Sequence, residues 1–406
     1  MRRALVRDLV AHGILRVEDG NHGNDRPRPN EFVSDGVPFI RAADMTGGVV
    51  DFDNAGRINA TARRRVRKGV GSPGDVILSH KGTVGRIAVA PDDSPDFVCS
   101  PQTTFWRSLD PTVVDQRFLK FVLLSADFVR QLDMLKSQTD MAPYVSLTDQ
   151  RSIELRLPGI EQQRAIATVL GALDEKIAAN ARLADVAGEL ARAMFSQAIA
   201  DTPMSDSTFE QVCEVGGGGT PKTGESSFWG GGVPWATPTD VTALSGPYLG
   251  STARTITLEG LDACSSPLYP AGSILMTSRA TIGAFAIASV PMAVNQGFIV
   301  VNPRDARLRY WFFHEMRDRV DEFISHANGA TFLELSRGNF KRLPLRLASE
   351  SVMTNFCERA EALHASAAAA LVESRLLART RDELLPLLMS GQLRVKDAEA
   401  VAESVR

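Results

Sequence analysis

Between Ile160 and Ala200 the apolar and small residues recur in alternating steps of four and three. Ile166, Leu170, Leu173, Ile177, Asn180, Ala184, Ala187, Ala191 and Met194 mark the positions, and charged residues fill the spaces between them. The stretch holds no proline. That spacing predicts one helix with a heptad seam on one face, about 60 Å long. From Ser351 to Met389 the same rhythm returns at Phe356, Ala360, Leu363, Ala367, Ala370, Ser374, Leu377, Arg381 and Leu384, each 190 positions later, with Arg381 the one misfit. Small residues on both seams let two backbones approach closely, so the pattern predicts that these two helices pack antiparallel on each other. Burial of each helix in a separate globular core is the competing reading.

The blocks that precede the two helices resemble each other. GVPFIRAADMT (36–46) matches GVPWATPTDVT (232–242), GDVILSHKGTVGRIAVA (74–90) matches GSILMTSRATIGAFAIA (272–288), and IELRL (153–157) matches LPLRL (343–347), in the same order and at nearly the same spacing. The chain reads as a tandem duplication of about 190 residues. Short β-type runs broken by turns predict hairpins of Val76–Ser79 with Ile87–Ala90 and of Ile274–Thr277 with Phe285–Ala288. Helical segments follow over Arg117–Leu135 and Arg309–His326. Each half is then a mixed α+β block followed by a long helix. The polar run ADTPMSDST (200–208) marks the boundary between halves, and the charged tail after Arg394 is expected to fray.

Composition narrows the function classes. At 406 residues, 44% hydrophobic and 23% charged, the chain is of ordinary globular composition and long enough for two or more domains. No apolar run is long enough to span a bilayer and no secretory signal is seen, so the expectation is a cytoplasmic protein without a membrane segment. Cys99, Cys213, Cys264 and Cys357 stand far apart and the six histidines form no ligand spacing, which predicts no metal site. A net charge of −3 counts mildly against nucleic-acid binding by global charge. The run Arg63, Arg64, Arg65, Arg67 and Lys68 leaves room for a local basic face, or for a merely solvated loop.

Three motif-like segments fail on chemistry. GVGSPG (69–74) has dinucleotide spacing but contains Pro73 and leads into a strand, not a helix. GGGGTPKT (216–223) puts Pro221 where a phosphate loop needs glycine before its lysine. Asn302-Pro303-Arg304 is not the Asn/Asp-Pro-Pro-aromatic loop with which adenine methyltransferases hold a flipped base. No paired carboxylates or nucleophile elbow point to hydrolysis. The sequence predicts a chain without catalytic residues and without a cofactor of its own.

With these residues in hand, the chain resembles the DNA-specificity subunits of type I restriction–modification systems. GGTPKTGESSFWGGGVPWATPTD (218–240) is similar to the opening of a target recognition domain of that family. LPGIEQQRAIATVLGALDEKI (157–177) is similar to its central spacer and RDELLPLLMSGQLRV (381–395) to the C-terminal repeat of that spacer. The second helix departs from the pattern, since LRLASESVM precedes it in place of a PxxEQ-like opening. The resemblance implies an α+β fold of two pseudo-symmetric target recognition domains separated by two long antiparallel coiled-coil helices. The parts are then a first recognition domain over 1–158, a central spacer helix over 159–200, a second recognition domain over 201–347, a distal spacer helix over 348–390 and a tail over 391–406. Ile166, Leu170, Leu173, Ile177, Phe356, Leu363, Leu377 and Leu384 are the residues expected to pack the two spacer helices together.

In function, the resemblance implies that each recognition domain reads one half of a bipartite double-stranded DNA target. Two modification subunits, which carry adenine-N6 methyltransferase chemistry with S-adenosylmethionine, dock on the helices, and restriction translocase subunits can join them. A two-lobed adaptor that binds protein and not DNA is the alternative. Candidate DNA contacts are the equivalent loop residues of the halves: His80, Lys81 and Thr83 against Ser278, Arg279 and Thr281, Arg41 against Thr237, and Gln102 against Gln296. The first six are expected at hairpin tips, where a Lys or Arg can meet guanine or, more commonly, a phosphate.

Overall fold

The computed structural model describes residues 2–136, 142–329 and 333–404. They form two compact units, residues 1–177 with 375–406 and residues 178–374. The long helices Ile160–Ile199 and Glu350–Ser390 each contribute one part to each unit.

In the first unit, strand Arg2–Leu5 pairs antiparallel with Glu154–Leu157, which leads into the first long helix. The core sheet places Val76–Ser79 between Thr103–Ser108 and Ile87–Val89. All four residues of VILS are buried, so this central strand is apolar on both faces and shows no polar alternation. A second sheet holds Val37–Ile40 parallel to Phe97–Cys99. Ile166, Leu170 and Leu173 of the first long helix lie in one apolar core with Leu377, Leu384 and Leu388 of the second. Arg381, the misfit on the seam, donates Nη1 to Asp174 Oδ1 at 2.7 Å, so the helix pair closes around an ion pair at that level.

The second unit repeats the plan. Met204–Thr208 pairs with Pro344–Arg346, Ile274–Thr277 lies between Phe298–Pro303 and Phe285–Ala288, and Trp229–Ala236 runs parallel to Ala293–Val294. Here the helix pair packs through Ala187 and Phe195 against Phe356, Ala360 and Ala367, and Phe195 stands edge-on to Phe356 with ring centroids 5.4 Å apart. Asn180 Nδ2 donates to Glu373 Oε2 at 2.7 Å. Contacts 180 to 373 and 195 to 356 run in opposite directions along the two helices, so the pair is antiparallel here.

The helical segments expected over 117–135 and 309–326 are helical, each as two helices: Gln116–Leu124 and Ala126–Lys136, then Arg309–Asp318 and Val320–Ser325. Ser125 ends the first in extended conformation and its Oγ accepts from Phe128 N, capping the next. Two expectations are corrected. The tail does not fray from Arg394. It forms helix Val395–Ser404, in which Ala398 and Ala402, one turn apart, are buried in the first unit's core. Finally, Gln102 and Gln296 are not equivalent in the ladder. Thr103 faces Ser79 where Phe298 faces Thr277, so Gln102 corresponds to Gly297.

Candidate nucleic-acid interface

The turn that follows the central strand has the same backbone in both units. In the first, His80 N donates to Gln102 O and Val145 N donates to His80 O. In the second, Ser278 N donates to Gly297 O and Leu335 N donates to Ser278 O. One residue on, Lys81 bridges Tyr144 and Arg279 bridges Glu334. The next residue is left-handed in both, Gly82 at φ 76° and Ala280 at φ 59°. These turns are therefore locked against a second segment and do not stand free as tips.

This placement corrects the expectation for two residues. His80 is 1% exposed and Ser278 3% exposed, so neither side chain faces solvent. His80 Nδ1 lies 2.9 Å from Val145 O, burial pushes its imidazole below the usual range, and its Nε2 has no hydrogen-bond partner among the described residues. Lys81, Thr83, Arg279 and Thr281 are exposed and remain on the accessible side of the turn.

Arg41 and Thr237 occupy matching caps. Each precedes a short helical turn, and each backbone N–H donates to a carboxylate three residues on, Arg41 to Asp44 and Thr237 to Asp240, both at 2.8 Å. The Arg41 guanidinium donates to Asp44 twice at 3.2 Å, which raises its pKa further, and Thr237 Oγ1 donates to Asp240 at 2.6 Å. Both side chains already serve the fold. Gln102 and Gln296 are exposed, and Gln296 Oε1 accepts from Thr220 Oγ1 at 2.6 Å.

Thr220 is delivered by the glycine run that imitates a phosphate loop. A Cβ on Gly218 would lie 1.8 Å from Val294 O, and the Gly219 carbonyl accepts from the Trp235 indole at 3.0 Å. The glycines let this backbone press against the sheet. Tyr144 and Glu334, the partners of Lys81 and Arg279, were not among the residues expected from sequence. Their spacing of 190, the same as that of the long helices, is the signal that finds them.

Residues 203–349 match the family model of the type I restriction modification DNA specificity domain. That match covers the second half of the fold, from the strand that opens it to the start of the second long helix. It is similar to the type I restriction enzyme MjaIX specificity subunit of Methanocaldococcus jannaschii, 35% identical over 34% of this chain and 32% of that one. It is also similar to the HindI specificity subunit of Haemophilus influenzae, 20% identical over 88% of this chain and 94% of that one. The first of these matches spans only about a third of the relative's length. Among solved structures, the type I S subunit from M. genitalium shares the fold, with a TM-score of 0.60 over 95% of each chain at 15% identity.

Within this chain the two units differ in charge at one equivalent element. Helix Ala60–Arg65, capped by Asn59, carries Arg63, Arg64 and Arg65. Its counterpart Leu258–Asp262, capped by Thr257, carries Glu259 and Asp262. Arg65 is engaged: it grips Glu31 through two contacts of 2.6 and 2.9 Å and holds that carboxyl down to about 2. Arg64, Arg67 and Lys68 face solvent. Among the described residues no group of three His, Cys, Asp or Glu side chains could hold a metal, and no helix is long and apolar enough to cross a membrane.

Proposed function

We propose that this chain is the non-catalytic DNA sequence-recognition subunit of a type I restriction–modification complex. Each unit reads one half of a bipartite duplex target, and the long helices set the spacing and dock two modification subunits. Those partners supply S-adenosylmethionine and the adenine-N6 methyl transfer, and restriction subunits complete the nuclease form. The observation that carries the reading is a single backbone frame built twice with different chemistry at its accessible turn: Lys81 beside Tyr144 in one unit, Arg279 beside Glu334 in the other. A protein that must read two different half-sites needs that combination. A net charge of −3 fits a chain whose partners complete the basic surface around DNA.

The test is a methyl-transfer assay on duplex DNA with the purified chain, with and without its modification subunit. Methylation at a split motif only when both are present is the expected result. Methyl transfer by this chain alone, or an unaltered motif when a different specificity subunit replaces it, contradicts the proposal.

A further inference from the structure

We infer that the Arg279–Glu334 pair is a base-pair reader for one G·C pair of the half-site recognised by the second unit, with Glu334 setting the specificity. The inference rests on the recognition function proposed above and adds a residue and a target chemistry to it.

Four observations converge. Arg279 Nε lies 2.7 Å from Glu334 Oε1, while the two side chains remain 46% and 42% exposed. An ion pair that open to water adds little to folding stability, so stability does not account for it. Second, the backbone under the pair is heavily fixed. Ala280 N donates to Leu333 O at 3.1 Å, and Glu334 exchanges two 2.9 Å bonds with Asn328. Third, Ala280 is the one residue other than glycine with a left-handed backbone among the described residues, where the first unit uses Gly82. Strain of that kind persists where the surroundings hold a turn in one shape, and it gathers at functional sites. Fourth, the pair borders a concavity of about 390 Å³ that is also lined by Ser278, Gln296, Ser336 and Arg337, a polar rim of donors and acceptors.

The chemistry then selects the ligand. A guanidinium has five N–H donors, and even a two-point contact with a carboxylate leaves three. Those three can serve guanine O6 and N7, the commonest specific protein–DNA contact. The Glu334 carboxylate has lone pairs left to accept from the cytosine N4 amine, and it turns the guanidinium so that its remaining donors face outward. A lone arginine could as well rest on a phosphate. A carboxylate beside it is repelled by phosphate and is useful only where an amino group must be met. The first unit differs here: Lys81 Nζ sits 5.7 Å from the Tyr144 ring centroid, a point charge over an aromatic face, with no carboxylate ion-paired to it among the described residues.

The test uses the full chain assembled with its modification subunit, with bound sequences selected from randomised duplexes, for wild type, Glu334→Gln and Arg279→Lys. The expected result is that each variant lowers the preference for G·C at a single position of one half-site by about tenfold to a hundredfold. The other half-site should be unaltered. Unfolding midpoints equal to wild type, as exposed positions allow, show that the variants are folded. If wild type selects a split motif and neither variant changes it, the pair does not read bases and the inference fails alone. If wild type selects no motif, the recognition function fails and the inference with it.

Discussion

In the first unit the long helix Ile160–Ile199 is bolted to the rest of the unit by charge. Asp174 receives Lys120 Nζ at 2.6 Å and Arg381 at 2.7 Å. In the second unit the position 190 residues later is His364, and the bolt is made of imidazoles. His364 Nε2 lies 3.0 Å from His314 Nε2, its Nδ1 lies 2.7 Å from the Tyr248 hydroxyl, and Tyr310 stacks on it at 4.2 Å. Both histidines are at most 3% exposed. The same trade appears in the sheets. Asp75, 1% exposed, is gripped by Arg107 through two 2.6 Å bonds, where the second unit has Ser273 and Asn302. Two copies of one fold thus hold the same places by different forces, and the difference shows which positions the backbone fixes and which it leaves to chemistry.

The largest effect should come from stranding a buried charge. Arg107→Ala leaves Asp75 without its cation and should cost the first unit about 3–5 kcal/mol, whereas Asn302→Ala at the matching place should cost about 1 kcal/mol or less. Hydrogen exchange read separately on peptides of each unit measures both. Equal losses would show that the two sheets are held alike after all.

Acid should separate the units next. Burial, first of all, pushes His314 down to about 3 and His364 down to about 4, with the nearby Arg317 adding to both. Above the ordinary imidazole value of 6.5 the depression has no effect on stability. As pH falls below that value the unfolded chain binds protons that the folded unit refuses. Stability of the second unit should then fall, by at most about 1.4 kcal/mol per pH unit for each imidazole, until the folded values are reached. Exchange of peptides around 310–316 and 360–367 should quicken between pH 6.5 and 4.5, and a His314→Gln, His364→Gln variant should flatten the trend. No such acceleration in wild type would remove the imidazole bolt from the account.

Salt should give the smallest contrast. Arg64→Glu with Arg67→Glu in the first unit should flatten the dependence of DNA affinity on log salt by about one unit of slope for each phosphate no longer neutralised. Glu259→Lys with Asp262→Lys in the second unit should leave the slope equal or steeper. Equal slopes in all three proteins would mean that the arginine-rich helix is only a solvated face.

Much of the architecture was legible because it rests on periodicity. The heptad seams and the constant offset of 190 give the helices and the duplication, since packing demands that spacing wherever two helices meet. The central hairpins were legible for the same reason, as short apolar runs between turns. The helix break at Ser125 was not, because a serine that caps the next helix looks, in one dimension, like a polar residue on a helix face. The interface was legible in part. Lys81 and Arg279 stand out as cations in matched loops, but His80 and Ser278 turn inward because their backbones tie down a distant segment. Glu334 was hidden because its partner lies 55 residues away in sequence. Gln102 and Gln296 matched by letter while the ladder places them one residue apart.

The claim that the two units read independently is tested most directly by exchanging one of them. Residues 209–347 are replaced by the corresponding domain of a relative, and the methylated motif is read by genome-wide methylation sequencing in a host that also makes the modification subunit. The account predicts that one half of the split motif changes while the other half keeps its sequence. A change in both halves, or in neither, would contradict it.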